Sequence, residues 1–327
     1  MKRDWEISMK LLPTLFYFAL TVLAASASPL GNYRILKEIP LGGQGRGDYL
    51  TLDGAARHLY VSHESEIVVV NADSYALIGK IPAQGAHGIA LAEKWNRGFS
   101  TNGEANTVTM FDLKNLKVLR HIPAGKGPDG IIYDPATHRV FAFNGDGDSA
   151  TAIDAETGKV AGTVDLGGGP EFAAADGHGY VFNNLEDKSE LVKIDARKLK
   201  VNARWPLAPC QRPSSMAMDQ ANRRLFIGCR SHVMAVVNAD NGHVVTTLPI
   251  GDHVDATSFD PETHTIFNSN GDGTVTVFRQ DDPDHYSHVK TIRTLPFAKT
   301  HALDLKSQRL FLSTEVRGKF TLLVVGQ

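Results

Sequence analysis

The sequence predicts an all-β, seven-bladed β-propeller whose last blade is closed by a strand from the N-terminus. Three observations carry this expectation. An acidic turn after a short apolar strand recurs at Asp53, Asp134, Asp176, Asp219, Asp260 and Asp304, with Ala92 in the second copy, at intervals of 39 to 44 residues. That period is the length of a four-stranded blade. Between these marks the chain alternates short β-branched or aromatic runs with Gly, Asp, Asn and Pro turns, and no helical periodicity intervenes.

The third copy shows the order of strands most plainly. Gly130 to Asp134 forms strand a, Arg139 to Phe143 strand b, Ala150 to Asp154 strand c and Lys159 to Val164 strand d. Strand c ends in Asn71, Asp112, Asp154, Asp195 or Asn238 in five copies. Such side chains cap the next turn by bonding local amides, so these acids and the recurring turn aspartates read as structural.

The third observation concerns the ends. The last copy supplies three strands, His301 to Leu305, Arg309 to Ser313 and Phe320 to Val325, and then stops. Tyr33 to Pro40 has the pattern of a strand d, as does Lys117 to Pro123. Pairing it with the last copy closes the ring and removes an open sheet edge.

Phe99-Ser100-Thr101-Asn102 followed by Thr107 to Asp112, and Tyr60-Val61-Ser62 followed by Val68 to Asn71, resemble the YVTN-type β-propeller repeat. The resemblance is spread over Tyr33 to Val325. Asn184 to Lys188, Pro206 to Cys210, Gly228-Cys229-Arg230 and Ser269 to Thr274 are similar to an exported bacterial subgroup of that family. It implies a seven-bladed propeller in the periplasm or outside the cell, and no agreed activity.

The N-terminus agrees with export. Leu11 to Ala24 is an apolar run preceded by Lys2, Arg3 and Lys10 and followed by Ala25-Ser26-Ala27. Residues 1–27 therefore read as a signal peptide with an A-x-A cleavage site, whether Met1 or Met9 is the initiator, and residues 28–327 as one propeller domain. The run is short for a membrane span, so the mature chain is expected to have none. Cys210 and Cys229, the two cysteines, fall on the same face of one blade and are expected to pair in an oxidising compartment.

In a propeller the d-to-a loops and b-to-c turns share one face, and strand a lines the channel. The residue five before each acidic mark then points near the axis: Asp48, His87, Asp129, Glu171, Ser214, Asp255 and Lys299. The ends of strand b give a second ring: His63, Asn102, Asn144, Asn183, Cys229, Asn270 and Thr314. Asp48, His87, Asp129, Glu171, Asp255, Lys299, Asn102, Asn144, Asn183 and Asn270 are the ligand-binding candidates. Oxygen-rich funnels suit Ca²⁺ or Mg²⁺, with Asp129, Glu171 and Asp255 as the expected metal ligands. His87, His253 and His301 are the histidines expected near the channel mouth.

Several functions lack their sequence marks. With 34 basic and 36 acidic residues, the chain shows no excess of cations for gripping nucleic acid. No nucleophile elbow, phosphate loop, zinc-protease helix or haem-attachment motif occurs. The leading expectation is a binding module that holds a small molecule, cation or protein partner on its carboxylate-rich face. The alternative is a metal-assisted lactonase or lyase at the same face, by analogy with other propeller enzymes.

Overall fold

The computed structural model describes residue 1, residues 31–45 and residues 47–327. The expected signal peptide, apart from Met1, lies outside the described residues. Among the described residues the strands form seven four-stranded antiparallel sheets. Blade 1 comprises Leu50–Asp53, His58–His63, Glu66–Asn71 and Leu77–Pro82 as strands a to d. Blade 2 begins at Ala86–Ala92, blade 3 at Pro128–Asp134, blade 4 at Pro170–Ala175, blade 5 at Pro213–Asp219 and blade 6 at Val254–Asp260.

Blade 7 joins the two ends of the ring. His301–Asp304, Arg309–Val316 and Lys319–Gly326 are its strands a to c, and Arg34–Pro40 pairs antiparallel with the last of them. Tyr33 fastens the closure by donating its hydroxyl to the carbonyl of Gln308 at 2.6 Å. Arg57 does the same on the other side of the junction, with its guanidinium on Asp304 of blade 7 at 2.6 Å and on Asp73 of its own blade at 2.8 Å.

The core lies between neighbouring sheets. Strands b and c contact a blade on each side, so both of their faces are apolar, as in Leu59-Tyr60-Val61 and Ile67 to Val70, all fully buried. Leu59, Val61 and Val68 of blade 1 pack on Phe311, Phe320 and Leu322 of blade 7. Strand d is the outer edge, and Leu77, Leu119 and Val160 on three successive outer strands stay exposed.

The turn aspartates act locally. Asp53 accepts from the amides of Ala55 and Ala56, Asp134 from that of Thr137, and Asp260 from the Glu262 amide and the Thr263 hydroxyl. Where Ala92 replaces the acid, a 3₁₀ turn over Glu93–Trp95 closes instead, with Asn96 left-handed at φ 55°. The strand c acids behave alike, as when Asp112 caps Lys114 and Asn115. No helix among the described residues is long and apolar enough to cross a membrane.

Candidate functional site

The inner ends of the a strands set the site. In each of blades 2 to 6 one residue of strand a pairs with the end of strand b: Ala86 with Asn102, Pro128 with Asn144, Pro170 with Leu185, Pro213 with Cys229 and Val254 with Asn270. A register break follows at once in all five. A bulge of this kind re-aims the next side chain. The next residues are His87, Asp129, Glu171, Ser214 and Asp255, members of the axial ring expected from the repeat.

The structure brings three of the ring residues together. His87 Nδ1 lies 2.7 Å from Asp48 Oδ2 and 3.8 Å from Asp129 Oδ1. One ligand atom from each of Asp48, His87 and Asp129 falls within 4.8 Å of the others. Asp129 Oδ1 is buried and accepts no hydrogen bond. Burial, then the nearby Asp48 carboxylate, pushes Asp129 up to about 6. The hydrogen bond to Asp48 raises His87 above its ordinary value.

The other ring residues are arranged differently. Asp255 is nearly buried and paired with the Lys299 ammonium, and Arg230 approaches it at 3.8 Å. Burial raises Glu171 far above the carboxylate range, reinforced by a side-chain hydrogen bond to Glu186. Burial opposes ionisation of Glu186, yet the bond from Glu171 and the guanidinium groups of Arg230 and Arg212 outweigh it and hold the acid low. Glu171 and Glu186 thus form an acid and carboxylate pair. Asp129, Glu171 and Asp255, expected as one ligand set, have separate partners. Ser214 is fully buried and donates to the Val254 carbonyl at 2.7 Å, tying blade 5 to blade 6.

The second ring is largely structural. The Asn102 amide lies 2.9 and 2.7 Å from the hydroxyls of Thr107 and Thr109. Asn144 bonds Ser149 and Thr151, and Asn270 bonds Thr274 and Thr276, in the same way. All three asparagines are buried. Asn183 does not end its strand: Leu185 pairs with Pro170 there, and Asn183 sits two residues earlier, opposite Ala173. Its amide instead donates to the carbonyls of Glu171 and Phe172 at 3.1 and 3.0 Å, fixing the backbone that carries Glu171. His63 stacks on Phe320, Thr314 donates to the Pro296 carbonyl, and Cys229 is bonded to Cys210, as expected, with Cα atoms 5.6 Å apart.

Of the three histidines expected at the mouth, His87 and His253 are there, and His301 is not. His301 is buried on strand a of blade 7 between the hydroxyls of Ser258 and Ser269, each 2.7 Å away. The early residues of that strand lie against blade 6, so its ring is enclosed rather than presented to the funnel.

Sequence reasoning missed the floor of the site. Tyr49, one residue inward from Asp48, stacks on Phe172, one residue inward from Glu171, with centroids 4.9 Å apart. Burial, with Asp129, Asp48, Glu171 and Asp255 around it, drives the Tyr49 phenol well above its ordinary pKa. The same column reads Tyr49, Gly88, Gly130, Phe172, Ser215, Ala256 and Thr300. A Cβ at Gly88 would lie 2.6 Å from the Asp129 carbonyl, and one at Gly130 2.5 Å from that of Glu171. Two glycines among two large aromatics in one inner column were the available signal.

Above this floor the funnel opens as a cavity of about 670 Å³ lined on blades 2 to 5 by His87, Asp129, Glu171, Glu186 and Arg212, with Glu104 and Asp146 at its rim. Around the axis the funnel has anionic ligands beside a histidine on blades 1 to 3, and the paired cationic side chains of Arg212, Arg230 and Lys299 on blades 5 and 7.

No protein-family model and no curated protein matches the chain. Solved structures share its fold. A chain of Kuenenia stuttgartiensis hydrazine synthase is 13% identical with a TM-score of 0.74, covering 87% of this chain and 95% of that one. U3-55K is 9% identical with a TM-score of 0.78, covering 90% and 98%. The WD40 repeats of RRP9 are likewise 9% identical with a TM-score of 0.78, covering 90% and 97%. The chain is thus a seven-bladed propeller with WD40 and other propellers as its structural neighbours.

Proposed function

We propose that this protein is an exported propeller of the YVTN type that holds a divalent cation on Asp48, His87 and Asp129 and presents it to a small molecule in the funnel. The observation that carries the reading is the convergence of one donor atom from each of these three residues within 4.8 Å, on a chain where Asp129 Oδ1 is buried and unbonded. A buried carboxylate oxygen without a donor is costly unless a proton or a cation satisfies it. The imidazole moves the choice of metal from the Ca²⁺ or Mg²⁺ suited to oxygen alone towards Mn²⁺ or Zn²⁺. Export is supported by the resemblance of the repeats, the signal-like N-terminus and the disulfide, which suits an oxidising compartment.

Metal content of the tag-free purified protein, with a thermal-shift series in Mn²⁺, Zn²⁺, Ca²⁺, Mg²⁺ and EDTA, tests this reading. A ligand of the folded state raises the melting temperature by mass action. Protein free of metal, with no shift in any of the four ions, would remove the cation from the account.

One observation favours catalysis as a second reading. Glu171, kept protonated by burial beside Glu186, stands on the blade next to Asp129. A protonated carboxylic acid near a Lewis acid is what a metal-assisted lactonase or lyase needs for its leaving group. Lactone hydrolysis that requires metal and is lost in Glu171→Gln would favour it over simple binding.

A further inference from the structure

The half of the funnel facing the proposed cation site is built for an anion. Arg230 Nε lies 3.2 Å from Glu186, and its guanidinium lies 3.8 Å from Asp255. Neither contact gives Nε a hydrogen bond, and the atom is buried. Lys299 pairs with Asp255, and Arg212 pairs with Glu186 at 2.6 Å. Three cations therefore share two carboxylates, while Glu171, which would have added a third, is held protonated.

These groups border a cavity of about 190 Å³ walled by Arg230, His253, Asp255, Phe297 and Lys299. At about 30 Å³ for each water it displaces, that space takes an arm of roughly six heavy atoms. It lies close to the cation donors, since Thr300, the residue after Lys299, donates its hydroxyl to the Asp48 carbonyl across the ring junction, and the Lys299 charge bears on Asp129. Three protein donors also leave a divalent cation with coordination positions open towards the axis.

We infer that the funnel binds a small organic polycarboxylate that bridges its two halves, one carboxylate ligating the cation on Asp48, His87 and Asp129 and another resting on Lys299 and Arg230. A guanidinium matches a carboxylate in planar geometry, and an ammonium adds a compact charge beside it. A carboxylate there shares the surplus cations with Asp255 and Glu186, through the guanidinium and ammonium groups that border the cavity. The inference rests on the cation reading above and adds the chemical class of the ligand.

Calorimetric titration of malonate into Mn²⁺-loaded protein tests it, alongside metal-stripped protein and the variants Lys299→Met, Arg230→Ala and Arg230→Lys. Mn²⁺ is first titrated alone into each, and circular dichroism confirms the fold. Malonate is expected to bind the loaded wild type, and to bind at least about tenfold more weakly without metal, in Lys299→Met and in Arg230→Ala, with partial recovery in Arg230→Lys. Mn²⁺ binding should not weaken in Lys299→Met, because that change removes a positive charge near Asp48. Loaded wild type that ignores malonate, or Lys299→Met that binds it as tightly, overturns the inference while the cation reading stands. Wild type that ignores Mn²⁺ overturns both.

Discussion

Tyr49 of blade 1 and Phe172 of blade 4 stack face to face across the propeller axis, 4.9 Å between ring centroids. The pair ties two opposite blades together one residue along strand a from the charged ring. Deleting one ring removes both the stack and the surface it buries. Tyr49→Ala is expected to destabilise the protein by about 3 kcal/mol and Tyr49→Phe by less than about 1 kcal/mol. Urea unfolding of the metal-free protein measures both; equal losses would mean that the hydroxyl, and not the stack, carries the effect.

His301 gives the fold an acid weakness. Burial lowers its pKa to about 4 from the ordinary 6.5, so the unfolded chain binds the proton more readily between those values. Its contribution to stability is complete above pH 6.5 and lost as pH falls towards 4, on the order of 3 kcal/mol in all. Stability against pH, compared between wild type and His301→Gln, should show a flatter profile for the variant over that window. Parallel profiles would assign the acid sensitivity elsewhere.

Asp129 works in the opposite sense. Its folded pKa is raised to about 6 from 3.8, so its contribution is present below pH 3.8 and lost as pH rises through 6. Without metal the ionised acid is a burden at neutral pH. Discounted for the partial exposure of the side chain, Asp129→Asn should stabilise the metal-free protein at pH 7.5 by about 1 kcal/mol. Thermal unfolding in EDTA reads this, and a loss of stability would mean that Asp129 is needed for the fold itself.

The disulfide links residues 19 apart and fixes the loop that carries Arg212 beside Glu186. Closing a loop of this length constrains the unfolded chain by about 3 kcal/mol. The double variant Cys210→Ala, Cys229→Ala should lose about that much in denaturant unfolding. Unchanged stability would show that neither the cross-link nor the packing of its sulfurs holds the loop.

The scaffold was legible because its signals are local and repeated. Asp53, Asp134 and Asp260 mark turns through bonds to amides two or three residues away, so spacing alone exposed the blades. The axial ring followed from the same register, since one bulge recurs at one position of strand a. Grouping within the ring was not legible. Whether Asp129 faces Asp255 or His87 depends on side-chain directions across blades some forty residues apart, and on cations such as Arg230 that no repeat position marks. Asn183 was misplaced because blade 4 puts Leu185 at the strand end, where blades 2, 3 and 6 have asparagine. Tyr49 and Phe172 were not legible because neither belongs to the charged ring that the repeat marks and each occurs once in its column.

Mn²⁺ and Zn²⁺ titration calorimetry on wild type, His87→Ala and Asp129→Asn measures the cation site itself. Saturable binding at a single site is expected in the wild type, weakened by more than about tenfold in each variant while both remain folded. No binding by the wild type, or equal affinity in all three proteins, would mean that Asp48, His87 and Asp129 hold no cation.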